Sequence, residues 1–268
     1  MTNLEYQKWM QKAFLYVEAA LGQELATPGR VCMTEEYFRT SLVRGLVASR
    51  PDLAHRIGTE NNVPWSTSAC GHCATEPGSG RPLQHDIAIM PNGDDAGLLL
   101  EAKWVKRSAA KAILQDIWKL ILSRGTEPEG QAIRCYLLLG GESEELSNTL
   151  RELRKGKVDL RWSNAGRGTT KATRKLDLSA VMKTQSGKNA LETLLGWGAG
   201  KNRHYRETAM FWQIVNVTRR FDPWVRTVDG IGWRSVLFEI HHHGADRDDN
   251  RLDWDSVGTI LPEKCGGE

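Results

Sequence analysis

Residues 82–106 constrain this chain most. They hold two apolar runs around a polar connection: Leu83–Pro91, then Asn92-Gly-Asp-Asp-Ala-Gly97, then Leu98–Lys106. Asn92-Gly93 favours the positive φ angles that a tight hairpin turn requires. The second run is apolar on both faces, so it reads as a central strand rather than a surface one. Because side chains alternate along a strand, Leu99, Glu101, Lys103 and Val105 share one face, and Leu98, Leu100, Ala102 and Trp104 share the other. A carboxylate and an ammonium are thus set two residues apart in the core. Burying charge is costly unless it is paired or bound to a metal, so Glu101 and Lys103 need a partner. Asp86, on the preceding strand, is the nearest candidate.

An acid, a hairpin turn and then Glu-x-Lys on an apolar strand resembles the PD-(D/E)xK nuclease superfamily, which has the restriction-endonuclease-like fold. The matching residues are Asp86, Glu101 and Lys103, with His85 where the motif usually has proline. The resemblance implies Asp86, Glu101 and the main-chain carbonyl of Ala102 as hard oxygen ligands for Mg²⁺ or Mn²⁺. It implies Lys103 as the group that orients or deprotonates the attacking water, or that neutralises charge on the phosphate.

Two helices precede the hairpin. Trp9, Met10, Ala13, Phe14, Val17 and Leu21 fall at helical spacing over residues 3–22, with Gly22 as the stop. Thr34 is a good N-cap for a second helix to Ser49, with Phe38, Leu42 and Leu46 as its buried stripe. Glu35 falls in line with that stripe. In the resembled superfamily a helix ahead of the metal-binding strands often supplies a glutamate, which makes Glu35 the candidate. The structural alternative is an acid complementing the helix dipole. Residues 56–82 read as loop, with a short strand near Val63–Ser66.

Cys70-Gly71-His72-Cys73 lies in that loop. The same four residues form the active site of disulfide isomerases, but the flanks here carry neither the apolar strand nor the helix of that family. Incidental loop cysteines, a structural metal assisted by His55, His72 or His85, and a redox pair remain open, the first being preferred.

After the hairpin, a helix over Ala109–Arg124 and a strand over Gln131–Gly140 imply a right-handed crossover and a parallel strand pair. The expected fold is α/β, a restriction-endonuclease-like core of order α-β-β-α-β with a mixed central sheet flanked by helices. That core usually has one more strand ahead of the crossover helix. On the polar side of that helix Lys111, Gln115 and Lys119 read as a solvated face, the alternative being that one of them approaches the scissile phosphate. Residues 1–140 are expected to form the nuclease core with its N-terminal helices. Residues 141–268 are expected to form a basic, β-rich α+β extension, including helices near 142–155 and 187–195 and strands near 210–218 and 232–241 that either extend the central sheet or make a small β subdomain. His241, His242 and His243 read as an exposed strand end.

The net charge of +3 says little, but its distribution says more. Between Arg151 and Lys175 stand nine basic residues against Glu152 and Asp159 alone. Arg154, Lys155, Lys157, Arg161, Arg167, Lys171, Arg174 and Lys175 are the candidates for gripping a nucleic-acid backbone. A solvated loop is the alternative. No apolar run is long enough to span a membrane, no secretory signal opens the chain, and five scattered cysteines suit a reducing cytoplasm. The expected activity is metal-dependent phosphodiester hydrolysis, as an endonuclease on DNA rather than RNA. The alternative is a silent nucleic-acid-binding or assembly protein on the same fold. The resemblance leaves a homodimer open.

Overall fold

A computed structural model describes residues 3–27, 33–62, 84–89, 92, 96–107, 109–125, 133–160, 173–195, 214–219 and 224–242. Helix α1 (Asn3–Ala26) and helix α2 (Glu35–Ser49) are followed by a 3-10 turn at Pro51–Arg56. Strands β1 (Ile57–Asn62), β2 (Gln84–Ile89) and β3 (Gly97–Val105) come next, then α3 (Ala110–Gly125), β4 (Ile133–Glu142) and α4 (Ser143–Lys155). Strand β5 (Thr173–Asp177), α5 (Leu178–Met182), α6 (Gln185–Leu195), β6 (Ile214–Arg219), β7 (Trp224–Val228) and β8 (Ile231–His242) complete the described elements.

The strands form one mixed sheet in the order β1-β2-β3-β4-β8-β6-β5, with β7 beside the start of β8. Among the described strands only β3 and β4 run parallel; the other described pairs are antiparallel. The β-rich C-terminal strands therefore continue the central sheet through the β4–β8 pair.

Strands β3 and β4 are apolar on both faces because helices cover both. On one side Leu99, Val105, Leu137 and Leu139 meet Ile113, Ile117 and Trp118 of α3 and Leu150 of α4. On the other, Leu98, Leu100, Ala102, Trp104 and Leu138 meet Trp9 and Phe14 of α1 and Phe38 and Leu42 of α2. The alternation expected for β3 is thus the division between two cores. Fully burying a large apolar side chain contributes about 1.5–3 kcal/mol. Trp104 stacks on Trp233 of β8 with ring centroids 5.9 Å apart, joining the two halves of the sheet.

Local signals place the helices. The Thr34 hydroxyl accepts the Tyr37 amide at 3.0 Å, capping α2 as expected. Helix α1 runs four residues past Gly22, whose carbonyl accepts a 2.8 Å bond from Arg226 of β7. The helices α1 and α2 meet closely at Gly45, where an added Cβ would lie 2.7 Å from the Ala13 carbonyl oxygen.

Three strands depart from the sequence reading, one of them β5, which forms at the end of the basic stretch where no strand was expected. Residues 57–62, read as loop, form edge strand β1; the expected strand at 63–66 lies outside the described residues. The run Ile-Gly-Thr-Glu-Asn-Asn has no apolar alternation because its order comes from main-chain pairing with β2. Strand β7 was not expected either. It is joined to β8 by Asp229 (φ 50) and Gly230 (φ 78), the positive-φ pair of a two-residue hairpin turn.

Candidate functional site

Strand β2 pairs with β3 from Ile89↔Leu98 to Ile87↔Leu100, and there the ladder stops. Strand β2 continues along β1 to Gln84, while β3 continues along β4 to Val105. The two strands of the hairpin therefore part at residues 84–86 and 101–103. The Asp86 carboxylate takes over one main-chain bond, accepting the Ala102 N–H at 2.8 Å. Its other oxygen lies 3.5 Å from Arg39 of α2, which also pairs with Glu36.

Glu101 lies at the centre of this parting and is 1% exposed. His85 Nδ1 is 2.5 Å from its Oε1, and Lys119 Nζ of α3 is 2.7 Å from its Oε2. His85 is itself fully buried. Burial, reinforced by the Lys119 charge, holds its imidazole well below the usual range, so it is neutral. Burial pushes the Glu101 carboxyl up to about 8; Lys119 opposes that rise and Asp86 adds to it. His85 Nδ1 and Glu101 Oε1 thus share one short, buried hydrogen bond.

Around this pair sits a ring of charge. Lys103, one turn of the strand pleat further along, reaches Glu35 of α2 at 3.0 Å and Asp116 of α3 at 3.7 Å. Asp116 also lies 3.9 Å from Lys119. Burial, helped by the Glu101 and Asp86 charges, lifts the Asp116 carboxyl to about 7. Burial works against the ammonium groups of Lys103 and Lys119, but the surrounding carboxylates outweigh it and hold both above the usual lysine range. Asp116 Oδ2 is buried without a hydrogen-bond partner.

The structure thus brings Asp86, Glu101, Lys103 and Glu35 to one place on three elements. Glu35 departs from its expected position: it is exposed, since the first turn of α2 overhangs the sheet beside Lys103 instead of facing the core. The Ala102 side chain packs in the opposite core. Lys119 is the clear correction. It is 15% exposed and bonded to Glu101, not part of a solvated face. Arg39, His85 and Asp116 were also missed as members of the site. Asp116 and Lys119 carry a signal that was available: at i and i+3 they flank the apolar stripe of α3 on one side. Among the described residues, no three His, Cys, Asp or Glu side chains are grouped closely enough to hold a metal as they stand.

Of the basic stretch, Arg154 and Lys155 are exposed in the last turn of α4, and Lys157 is exposed just beyond it with φ 65. Lys175 is exposed on β5, and Arg174 is its neighbour on that strand. Arg161, Arg167 and Lys171 lie outside the described residues, as do Cys70, Cys73 and His243. His241 is not an exposed strand end: it is half-buried, with Nε2 2.9 Å from the Thr218 hydroxyl. Among the described residues no helix is long and apolar enough to cross a membrane.

No protein-family model, no curated protein and no solved structure matches this chain.

Proposed function

We propose that this chain is a metal-dependent nuclease of the PD-(D/E)xK kind, hydrolysing phosphodiester bonds of nucleic acid, DNA before RNA. The observation that carries the reading is Glu101. A carboxylate this deeply buried, with Asp86 and Lys103 beside it where two core strands part, is expensive for a fold to keep. Replacing a buried ion pair by apolar residues is often neutral or stabilising, so fold maintenance alone gives little reason for it. The element order α2-β1-β2-β3-α3-β4 also supports the reading, because β1 supplies the extra strand ahead of the crossover helix.

The donor set suits a hard divalent cation. Asp86, Glu101 and Asp116 are all oxygen donors, burial and then the Glu101 and Asp86 charges raise the Asp116 carboxyl, and buried Asp116 Oδ2 makes no hydrogen bond, its nearest cation being Lys103 at 3.7 Å. Asp86 and Glu101 would hold Mg²⁺ or Mn²⁺, with the Ala102 carbonyl as the further ligand. Bound there, the metal supplies Lewis acidity and a water of lowered pKa. The chain supplies the rest. Lys103 places a positive charge where the scissile phosphate develops negative charge, and Glu35 and Asp116 hold it in position. His85 fixes the Glu101 carboxylate. Arg154, Lys155, Lys157 and Lys175 offer exposed positive charge to the backbone.

The test is cleavage of supercoiled and linear plasmid with Mg²⁺, Mn²⁺ or chelator, using the wild type and Glu101→Gln. Metal-dependent cutting that disappears in the variant is expected; undiminished cutting by the variant would sink the assignment.

A second reading has its own observation. Both Glu101 oxygens are engaged by His85 and Lys119, as they would be in a silent relative that only binds nucleic acid. That protein would bind DNA with a steep salt dependence and show no turnover with any metal.

A further inference from the structure

Lys119 is the cation closest to Glu101, and its surroundings suggest more than a passive partner. Its ammonium lies 2.7 Å from Glu101 Oε2, on the oxygen that His85 leaves uncovered. It also lies 3.9 Å from Asp116 Oδ1, one helical step away on α3. A charge-assisted bond closes at about 2.7–2.9 Å, so a shift of roughly 1 Å would convert that long contact into a hydrogen bond. Asp116 is well placed to receive it: its side chain is 13% exposed and its Oδ1 faces Lys119, while its buried Oδ2, which makes no hydrogen bond, faces Lys103 at 3.7 Å. Lys103 differs. It bonds to Glu35 and approaches Asp116, and its charge acts on Glu101 less than that of Lys119 does.

We propose that Lys119 is a place-holding cation: it neutralises Glu101 while the metal is absent, and passes to Asp116 when a divalent cation takes Glu101 Oε2. The inference rests on the metal-dependent reading of this site and deepens it. Lys119 then acts as a positioning residue through Glu101, and Asp116 is its alternative anchor. In the metal-free protein the buried carboxylate never stands unpaired, which keeps the parting of β2 and β3 intact. The consequence is that the metal and the Lys119 ammonium compete for one oxygen. Lys119 therefore lowers the affinity of the site for metal.

The experiment is calorimetric titration of Mn²⁺ into the metal-free full chain. The wild type is compared with Lys119→Met, Lys119→Gln, Lys103→Met, Asp116→Asn and Glu101→Gln, each checked for folding by circular dichroism. Lys119→Met is expected to bind Mn²⁺ at least about tenfold more tightly than the wild type, a difference of about 1.4 kcal/mol. Lys119→Gln, which keeps a hydrogen-bond donor but no charge, supplies the same comparison if the Met variant does not fold. Lys103→Met is expected to change affinity by less than about threefold, because Lys103 holds no Glu101 oxygen. Asp116→Asn is expected to weaken binding, because the displaced ammonium loses its acceptor. Wild-type or weaker affinity in both Lys119 variants would overturn the proposal while leaving the metal site standing. Equal tightening in Lys103→Met would reduce the effect to a general field and overturn it too. If the wild type and every variant bind no Mn²⁺, the metal-dependent reading falls and the proposal falls with it.

Discussion

His85 Nδ1 and Glu101 Oε1 lie 2.5 Å apart, both side chains removed from solvent. A buried carboxylate fixed in this way can present only one geometry to its other side. Outer partners that orient a ligating carboxylate are worth 10–100-fold in metal affinity or activity. His85→Ala is therefore expected to lower metal-dependent cleavage by about that factor. It also strands a buried acceptor, at a cost of about 1–3 kcal/mol. His85→Gln, whose amide can still donate, should recover part of both losses. Thermal unfolding and cleavage rates measured on the three proteins check this. Full activity in His85→Ala would remove His85 from the site.

The charges around Glu101 also set how stability depends on pH. Glu101 (about 8) and Asp116 (about 7) hold protons more tightly in the folded chain than the ordinary 4.5 and 3.8 of exposed carboxyls. The folded state binds the extra protons between those limits, so stability falls as pH rises through that window. Neutral His85 works in the opposite sense. Its lowered pKa means that stability falls as pH drops below about 6.5, where the unfolded imidazole charges. Lys103 and Lys119, both raised, stabilise fully below about 10.5 and lose that contribution only as pH climbs beyond it. The metal-free protein should thus be most stable in mildly acidic solution. Between pH 5 and 8 it should lose at most about 1.4 kcal/mol per pH unit for each carboxyl titrating, and little beyond. Denaturant midpoints from pH 5 to 9 test this, with a flatter decline expected for Glu101→Gln. A wild-type midpoint that rose from pH 6 to 9 would contradict it.

Exposed basic residues beyond the site should act through salt-sensitive binding alone. Arg154 and Lys155 end α4, where they also complement the negative end of the helix dipole. Lys157 follows at once and is equally exposed. If Lys155 and Lys157 each neutralise a DNA phosphate, then Lys155→Ala and Lys157→Ala should each reduce the slope of log affinity against log salt by about 0.9. Both should leave the cleavage rate at saturating DNA unchanged. Fluorescence anisotropy across a salt series reads the slope, and an unaltered slope in both variants would return these residues to the role of a solvated helix end.

Much of the fold follows from patterns visible in the chain. The division of β3 into a Leu99–Val105 face and a Leu98–Trp104 face is periodicity, and periodicity is local. The Thr34 cap and the apolar stripe of α3 are local too. Strand β1 escaped because an edge strand can form from polar residues once its neighbour presents a ladder. Strand β7 is announced by the Asp229-Gly230 turn, but its short run carries no apolar alternation of its own. In the site, Glu101 and Lys103 stood out as charges in an apolar run. His85 did not, because strict alternation would put it on the face opposite Glu101. Only the parting of β2 from β3 brings the two together, and no spacing rule encodes that. Lys119 and Asp116 come from a helix whose rotation about its axis is set by packing against the sheet.

Glu35 gives the sharpest test of how the charges divide their roles. It reaches Lys103 at 3.0 Å with its side chain 45% exposed, whereas Glu101 is closed off. Its nearest charge is thus the ammonium, and an exposed ion pair contributes only about 0–1 kcal/mol to stability. Its use lies in orienting Lys103, which has Asp116 as its second anchor at 3.7 Å. Glu35→Gln should therefore leave the melting temperature and the Mn²⁺ affinity close to those of the wild type. The cleavage rate at saturating metal should fall several-fold as Lys103 loses one of two anchors. Asp86→Asn, by contrast, should weaken Mn²⁺ binding directly and lower the rate through it. Calorimetry and single-turnover cleavage on the two variants separate the cases. A tenfold loss of Mn²⁺ affinity in Glu35→Gln would make Glu35 a metal ligand and require α2 to move towards β3 when the metal binds.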